Sequence, residues 1–91
     1  MSFSSHRRDA LDPNLPLPHR QSHARSCAML MGQKYRVPRS VILDFVRQAC
    51  GADLMCPVSE ADLIVAVGVL DRIKAIGLVI GTNDISKSAN N

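Results

Sequence analysis

The segment from Ser59 to Gly81, SEADLIVAVGVLDRIKAIGLVIG, constrains the fold more than any other part of the chain. Ser59 is a suitable N-cap for a helix, and Asp62 three positions later completes a capping box of the S-x-x-D type. Acidic residues follow the cap and basic residues precede Gly77, so the charges match the helix dipole. Gly77 is suited to the backbone conformation that ends a helix. The pattern therefore predicts a helix that begins after Ser59 and ends at Gly77.

This predicted helix is apolar around most of its circumference. With about 100° between successive residues, Glu60, Asp71 and Lys74 share one stripe with Ile64 and Val67. A helix with so little polar surface is buried on more than one side, and a chain of 91 residues has little material to cover it. We therefore expect a homodimer rather than a monomer that buries the helix in its own core. The expected interface residues are Ile64, Val67, Leu70 and Ile73.

Charge is unevenly distributed along the chain. Residues 1–39 carry seven Lys or Arg against two Asp, a net +5, and residues 40–91 carry four against six, a net −2. A basic segment ahead of a near-neutral domain favours a polyanionic partner. Residues 1–29 are polar and rich in proline, which predicts a disordered basic arm. A small helical domain over residues 30–87 and a disordered tail over residues 88–91 are expected to follow.

The start of the predicted domain coincides with two methionines. Met29 and Met31 stand directly before it, which raises the hypothesis that the natural chain starts at one of them. Within the domain, Gln33–Val37 (QKYRV) partly alternates polar and apolar residues and predicts a short strand. Apolar residues at helical spacing predict a helix over Ser40–Cys50, followed by a short helical piece over Ala52–Met55.

The run VLDRIKAIGLVIG resembles the end of the third helix and the entry to the wing in winged helix-turn-helix transcription regulators, a local match within residues 54–82. The resemblance implies a mainly α fold with a small β element, in which the helix after Ser59 is the third helix. It also implies that Ser59, Arg72, Lys74 and a wing over Thr82–Lys87 approach double-stranded DNA.

The alternative fold is a ribbon-helix-helix dimer. A strand QKYRV followed by two helices is similar to the order of elements in ribbon-helix-helix repressors, whose second helix is buried against the partner. Lys34 and Arg36, or their neighbours Gln33 and Tyr35, would then face the major groove. Across both readings the expected DNA-binding residues are Lys34, Arg36, Arg39, Ser59, Arg72, Lys74 and Lys87.

Catalysis has little support in the sequence. All three histidines, His6, His19 and His23, lie in the predicted arm, and no P-loop, dinucleotide or nucleophile-elbow motif occurs. Because a general base needs a fixed position, we expect no enzyme and no cofactor. His19, His23 and Cys27 are spaced at i, i+4 and i+8, but three ligands without a fourth make a zinc site improbable, so no metal is expected.

The cysteines point to a reducing compartment. Cys27, Cys50 and Cys56 are odd in number and form no C-x-x-C pattern, which argues against a disulfide framework and for a cytoplasmic protein with inert thiols. The N-terminus lacks the continuous apolar run of a secretory signal. The helix predicted after Ser59 has too few apolar residues in sequence, and too many charged ones, to cross a membrane.

Two functions follow from these observations. The first is a small DNA-binding transcriptional regulator that acts as a homodimer. The alternative is a protein-interaction module, such as an adaptor, inhibitor or accessory protein, that offers its apolar helix to a different protein.

Overall fold

The computed structural model describes residues 2–77, which form four α-helices. These are α1 (Phe3–Ala10), α2 (Leu17–Tyr35), α3 (Arg39–Cys50) and α4 (Glu60–Ile76). The longest helix, α2, contacts each of the other three, and α4 also contacts α1 and α3. The second helix is therefore the centre about which the other three are arranged.

The helix predicted between Ser59 and Gly77 is confirmed as α4. The Ser59 hydroxyl accepts a hydrogen bond from the Asp62 backbone N–H at 3.1 Å, as the capping box requires. At the other end, Gly77 has a φ of 94° and donates its N–H to the Ile73 carbonyl at 2.9 Å. The helix predicted over Ser40–Cys50 is likewise confirmed as α3, which starts one residue earlier.

Small side chains allow the other helices to approach α2 closely. Ala24, Cys27 and Ala28 are fully buried on it. Gly32 permits the closest approach, because a Cβ at this position would lie 2.7 Å from the Val37 carbonyl oxygen. The Val37 N–H donates to the Gly32 carbonyl at 2.9 Å, so the turn from α2 to α3 packs directly against the end of α2.

The rest of the core is mostly aliphatic, with Phe3 as its one buried aromatic residue among those described. Aromatic residues make up only 3% of the chain, and the largest fully buried side chains come from α3, α4 and the segment that connects them: Ile42, Val46, Leu54, Leu63, Leu70 and Ile73. Each buried aliphatic side chain contributes roughly 1.5–3 kcal/mol relative to an exposed one.

Polar side chains of α2 fix the two connecting segments. The Arg20 side chain is only 4% exposed, and its Nε donates to the Ala10 carbonyl at the end of α1 at 2.9 Å. Its Nη1 donates to the Glu60 carboxylate at the start of α4 at 2.7 Å. Gln21 and Arg25 both donate to the Leu54 carbonyl, at 2.7 and 3.0 Å. Because a buried charge needs partners, Arg20 ties together three helices.

The prediction of a disordered arm over residues 1–29 is wrong, because this segment forms α1 and most of α2. The domain boundary predicted at residue 30 falls inside α2. Residues 1–29 contain few large apolar side chains, but Phe3, Ala10 and Ala24 are buried. Small apolar residues are enough to form a core where helices pack closely. Pro18 lies in the first turn of α2, where a missing N–H is tolerated. A chain that started at Met29 would lack this part of the core.

The predicted fold class, a winged-helix-like domain with a small β element, is also wrong. Gln33–Val37 is the last turn of α2 and the turn after it, and residues 2–77 contain no strand. Ala52–Met55 forms turns rather than a helix. Without the strand the ribbon-helix-helix alternative is wrong too. Each residue added to the end of a helix that has already formed gains one hydrogen bond. This gain favours the helical conformation of Gln33–Tyr35 over a strand, for which the only signal was a partial alternation of polar and apolar residues. The predicted wing at Thr82–Lys87 lies outside the described residues.

The two helical glycines, Gly32 and Gly68, provide a matched test of the packing. Gly32→Ala should lower the free energy of unfolding by about 1–3 kcal/mol, because its methyl group meets backbone rather than a movable side chain. At Gly68 the space around an added Cβ is open. Gly68→Ala should therefore raise the free energy of unfolding by about 1 kcal/mol, because alanine has a higher helix propensity than glycine. Urea unfolding followed by circular dichroism measures both, and equal effects would contradict the close approach at Gly32.

Candidate interaction surface

One side of α4 remains uncovered by the other helices. We define the α4 outer face as its seven exposed residues on this side: Ala61, Ile64, Val65, Gly68, Arg72, Ala75 and Ile76. They recur at intervals of three and four positions, so they form a continuous stripe along the helix. Ile64, Val65 and Ile76 are 49%, 53% and 70% exposed. The face carries a single charged side chain, that of Arg72, and is otherwise apolar along its length.

The centre line of the α4 outer face consists of small residues. Ala61, Gly68 and Ala75 are seven residues apart, so they lie nearly in line along the helix. Apart from Gly68, its two neighbours in the chain and the backbone of α4, no atom of the described residues lies within 4 Å of the position that a Gly68 Cβ would occupy. A glycine inside a helix costs about 1 kcal/mol relative to alanine, and packing within residues 2–77 does not require this one. The glycine leaves the α4 backbone open to the close approach of another molecule.

The C-terminal end of the face borders a groove. Arg72 and Ile76 line it on the α4 side, and Phe45 and Ala49 line it on the α3 side. Its volume is about 280 Å³. A side chain projecting from a molecule bound to the α4 outer face has room to enter this groove.

The structure separates the predicted interface residues into two sets. Ile64 belongs to the α4 outer face, whereas Val67, Leu70 and Ile73 are almost completely buried against the rest of the chain. The interface stays a prediction, and Ile64 is the exposed member of the four residues predicted for it. The prediction did not include Val65, Gly68 and Ala75, which are exposed on the same side as Ile64. The seven-residue spacing of Ala61, Gly68 and Ala75 is the sequence signal that could have pointed to this side.

The residues predicted to bind DNA fall in separate parts of the structure. Lys34, Arg36 and Arg39 are exposed around the turn between α2 and α3. Arg36 caps α2 in the left-handed conformation, with a φ of 59°. The remaining residues are the Ser59 N-cap of α4, Arg72 within the outer face, Lys74 with its Nζ 4.7 Å from the centre of the Phe3 ring, and Lys87, which is outside the described residues. Contact with DNA stays a prediction for all of them.

The three histidines gather where α1 packs against α2. His6 Nδ1 lies 2.9 Å from His23 Nδ1, and His23 Nε2 lies 3.8 Å from an Asp9 carboxylate oxygen. The His19 ring lies on the other side of His23, with 5.3 Å between ring centres. Cys27 points away from the histidines into the core, with its Sγ 3.8 Å from the Phe3 carbonyl. The part of the chain that the structure describes contains no cluster of three or more side chains arranged to hold a metal ion.

The environment of His6 disfavours its protonated form. Partial burial lowers the pKa of His6 below 6.5, and the nearby His23 and N-terminus lower it further against the opposing effect of Asp9. The folded protein therefore binds this proton less readily than the unfolded chain. The resulting contribution to stability is present above pH 6.5 and is lost as the pH falls below that value.

Urea unfolding between about pH 8 and pH 5 tests this contact between α1 and α2. The midpoint of the wild type should fall as the pH drops below 6.5. His6→Gln keeps a neutral hydrogen-bonding group at this position and should flatten the pH dependence. His19→Gln, at an exposed neighbouring histidine, is the matched control and should leave it in place. An unchanged pH profile in the His6 variant would contradict the assignment.

The cysteines occupy three different environments. All three are free thiols, and burial raises the pKa of Cys27 to about 12. Cys56 is exposed, and the hydrogen bond from its thiol to Asp53 raises its pKa. A high thiol pKa means little nucleophilic thiolate at neutral pH, so neither group has the environment of a reactive cysteine.

None of the four helices combines the length and the continuous apolar character that crossing a bilayer requires.

No protein-family model, curated protein or solved structure matches the chain. The surface chemistry of the described residues is therefore the basis on which function is inferred.

Proposed function

We propose that the protein is a small helical interaction module whose α4 outer face binds an apolar helix of another polypeptide. The observation that carries the proposal is the exposed aliphatic side chains of Ile64, Val65 and Ile76 on one stripe of a well-capped helix. Apolar patches that persist on a folded surface commonly mark sites of protein association. A helix is the partner that fits, because a straight stripe with a small-residue centre accepts another helix lengthwise.

The energy available from this face suits a reversible complex. The three aliphatic side chains are 49% to 70% exposed, so burial of each contributes on the order of 1 kcal/mol. Dispersion contacts along the Ala61, Gly68 and Ala75 line add to this, since small residues bring the helix axes closer. Association costs several kcal/mol of translational and rotational freedom. We therefore expect a weak, reversible complex rather than a tight one.

The charges of the described residues favour this function over DNA binding. Several arginines already have carboxylate partners: Arg7 with Asp71, Arg20 with Glu60, and Arg47 with Asp44. The start of α4 carries Glu60 and Asp62, which repel phosphates. The exposed cations at the turn between α2 and α3, together with Arg72 and Lys74 of α4, still support DNA binding, which becomes the other outcome of the test. Because the three thiols are free, the proposal places the module in the reducing cytoplasm.

A binding assay with two probes tests the proposal. The first probe is a fluorescent amphipathic peptide helix with an alanine and leucine face, compared with a scrambled peptide. The second is a mixed-sequence DNA duplex at low and moderate salt. The full chain should bind the amphipathic peptide, and Val65→Asp should weaken this binding at least about tenfold.

The control is Met55→Asp, which places the same charge at a position 58% exposed outside α4 and should leave peptide binding unchanged. Both variants replace exposed side chains, so each should stay within about 0.5 kcal/mol of the wild-type stability. Equal peptide binding by the Val65 variant and the wild type would refute the proposal. Binding to duplex DNA that falls steeply with salt, together with no peptide binding, would establish the regulator instead.

A further inference from the structure

We infer that the partner of the α4 outer face is the same face of a second copy of this chain, with the two α4 helices antiparallel and Gly68 at the point where they cross. This inference rests on the proposed function and names its partner. A twofold symmetric interface requires a surface that is complementary to itself. The α4 outer face meets this requirement in its shape and in its charge.

The shape is symmetric about the middle of the helix. Gly68 is the central residue of α4, with eight helical residues on either side. Ala61 and Ala75 lie seven positions before and seven positions after it. In an antiparallel pair, Gly68 therefore faces its counterpart, and Ala61 faces the partner's Ala75. The line of small residues then runs unbroken along both helices, and their axes can approach to about 8 Å.

The charges of α4 change sign from one end to the other. Glu60 and Asp62 stand in the first turn, and Arg72 and Lys74 stand near the last. Antiparallel pairing places the acidic end of each helix beside the basic end of the other, and it opposes the helix dipoles favourably. Among the described residues neither Asp62 nor Arg72 has an ion-pair partner within 4 Å. Both therefore remain free to interact across an interface.

Antiparallel pairing accounts for the one charged side chain on the α4 outer face, that of Arg72. About 100° per residue places Arg72, Val65 and Asp62 on the same flank of the small-residue line. With Gly68 at the crossing point, the aliphatic stem of Arg72 lies beside the partner's Val65. Its guanidinium then extends toward the partner's Asp62, as long cationic side chains do at the rim of apolar contacts. Parallel pairing would instead place Arg72 beside the partner's Arg72, which repels.

Sedimentation equilibrium of the full chain over about 1–300 µM measures the association. The inference requires a mass that rises toward twice the 9.9 kDa of one chain. Gly68→Gln should raise the stability of the chain, because the space above Gly68 is open. The same substitution should weaken association at least tenfold, since its side chain holds the helices apart. A variant that gained stability and dimerised as before would overturn the inference.

Disulfide cross-linking determines the orientation. Ala61→Cys and Ala75→Cys are made in separate chains that carry Cys50→Ser and Cys56→Ser, with the buried Cys27 left in place. A mixture of the two variants should form a mixed disulfide dimer under mild oxidation, and neither variant alone should do so. Efficient cross-linking of Ala61→Cys to itself would demonstrate parallel pairing and overturn the antiparallel arrangement.

Failure of the inference is distinct from failure of the proposed function. A chain that stays monomeric throughout the concentration range, yet binds the amphipathic peptide in a Val65-dependent manner, overturns the second copy as partner and leaves the interaction module standing. If the chain is monomeric and Val65→Asp leaves its peptide binding unchanged, both the second copy as partner and the proposed interaction module are overturned. A monomer that binds no peptide, and in which a Val65→Cys thiol resists labelling by a thiol reagent, would assign the face to residues 78–91 of the same chain, which also overturns the inference.

Discussion

Burial of α2 among the other three helices is the constraint on which the rest of the structure depends. Most of its buried apolar residues are small, namely Ala24, Cys27, Ala28 and Gly32, and Met31 is the one larger member. Small side chains bury little apolar area, so the hydrophobic gain per residue is modest. The buried hydrogen bonds of Arg20 and Gln21 compensate by fixing the ends of α1 and α4 to α2. Those polar contacts hold the start of α4, whose position in the chain is set locally by the Ser59 cap, against α2.

The α4 outer face is a consequence of chain length. A domain of this size buries only about 60% of the surface that its unfolded chain exposes. Three helices cover α4 from the side of Leu63, Leu70 and Ile73, and the described residues include no further element to cover the opposite side. The apolar residues there have no packing role within the described part of the chain. A binding role accounts for Ile64, Val65 and Gly68 together, since it explains both the exposed aliphatic side chains and the glycine between them.

The histidine contact between α1 and α2 gives the fold a dependence on pH. His6 is held close to His23 by the packing of two helices, and two cationic rings at this distance repel. Acidification therefore weakens the attachment of α1, which also contacts α4 through the ion pair of Arg7 with Asp71. The packing of the first helix is thus one part of the fold that responds to protonation.

How much of the structure was predictable varied with the kind of signal in each segment. The limits of α4 and α3 followed from a capping serine, terminal glycines and apolar spacing, because those signals act within a few residues. Residues 1–29 were misread as disordered because burial of Ala10, Ala24 and Ala28 depends on how closely partner helices approach. Gln33–Val37 was misread as a strand for the same reason: its conformation is set by the helix it extends and by the bond from Tyr35 Oη to the Ile73 carbonyl.

By itself, the sequence determined that α4 is a helix, where it begins and ends, and that its apolar surface exceeds what one side can bury. Only the tertiary structure decided which side is free. A nearly uniform helix circumference does not distinguish Val67 from Val65, because both are valines on an apolar helix. The distinction comes from the positions of the other helices, which bury Val67 and leave Val65 at the surface. Local interactions specify a helix, whereas the direction in which it faces is a property of the packed chain.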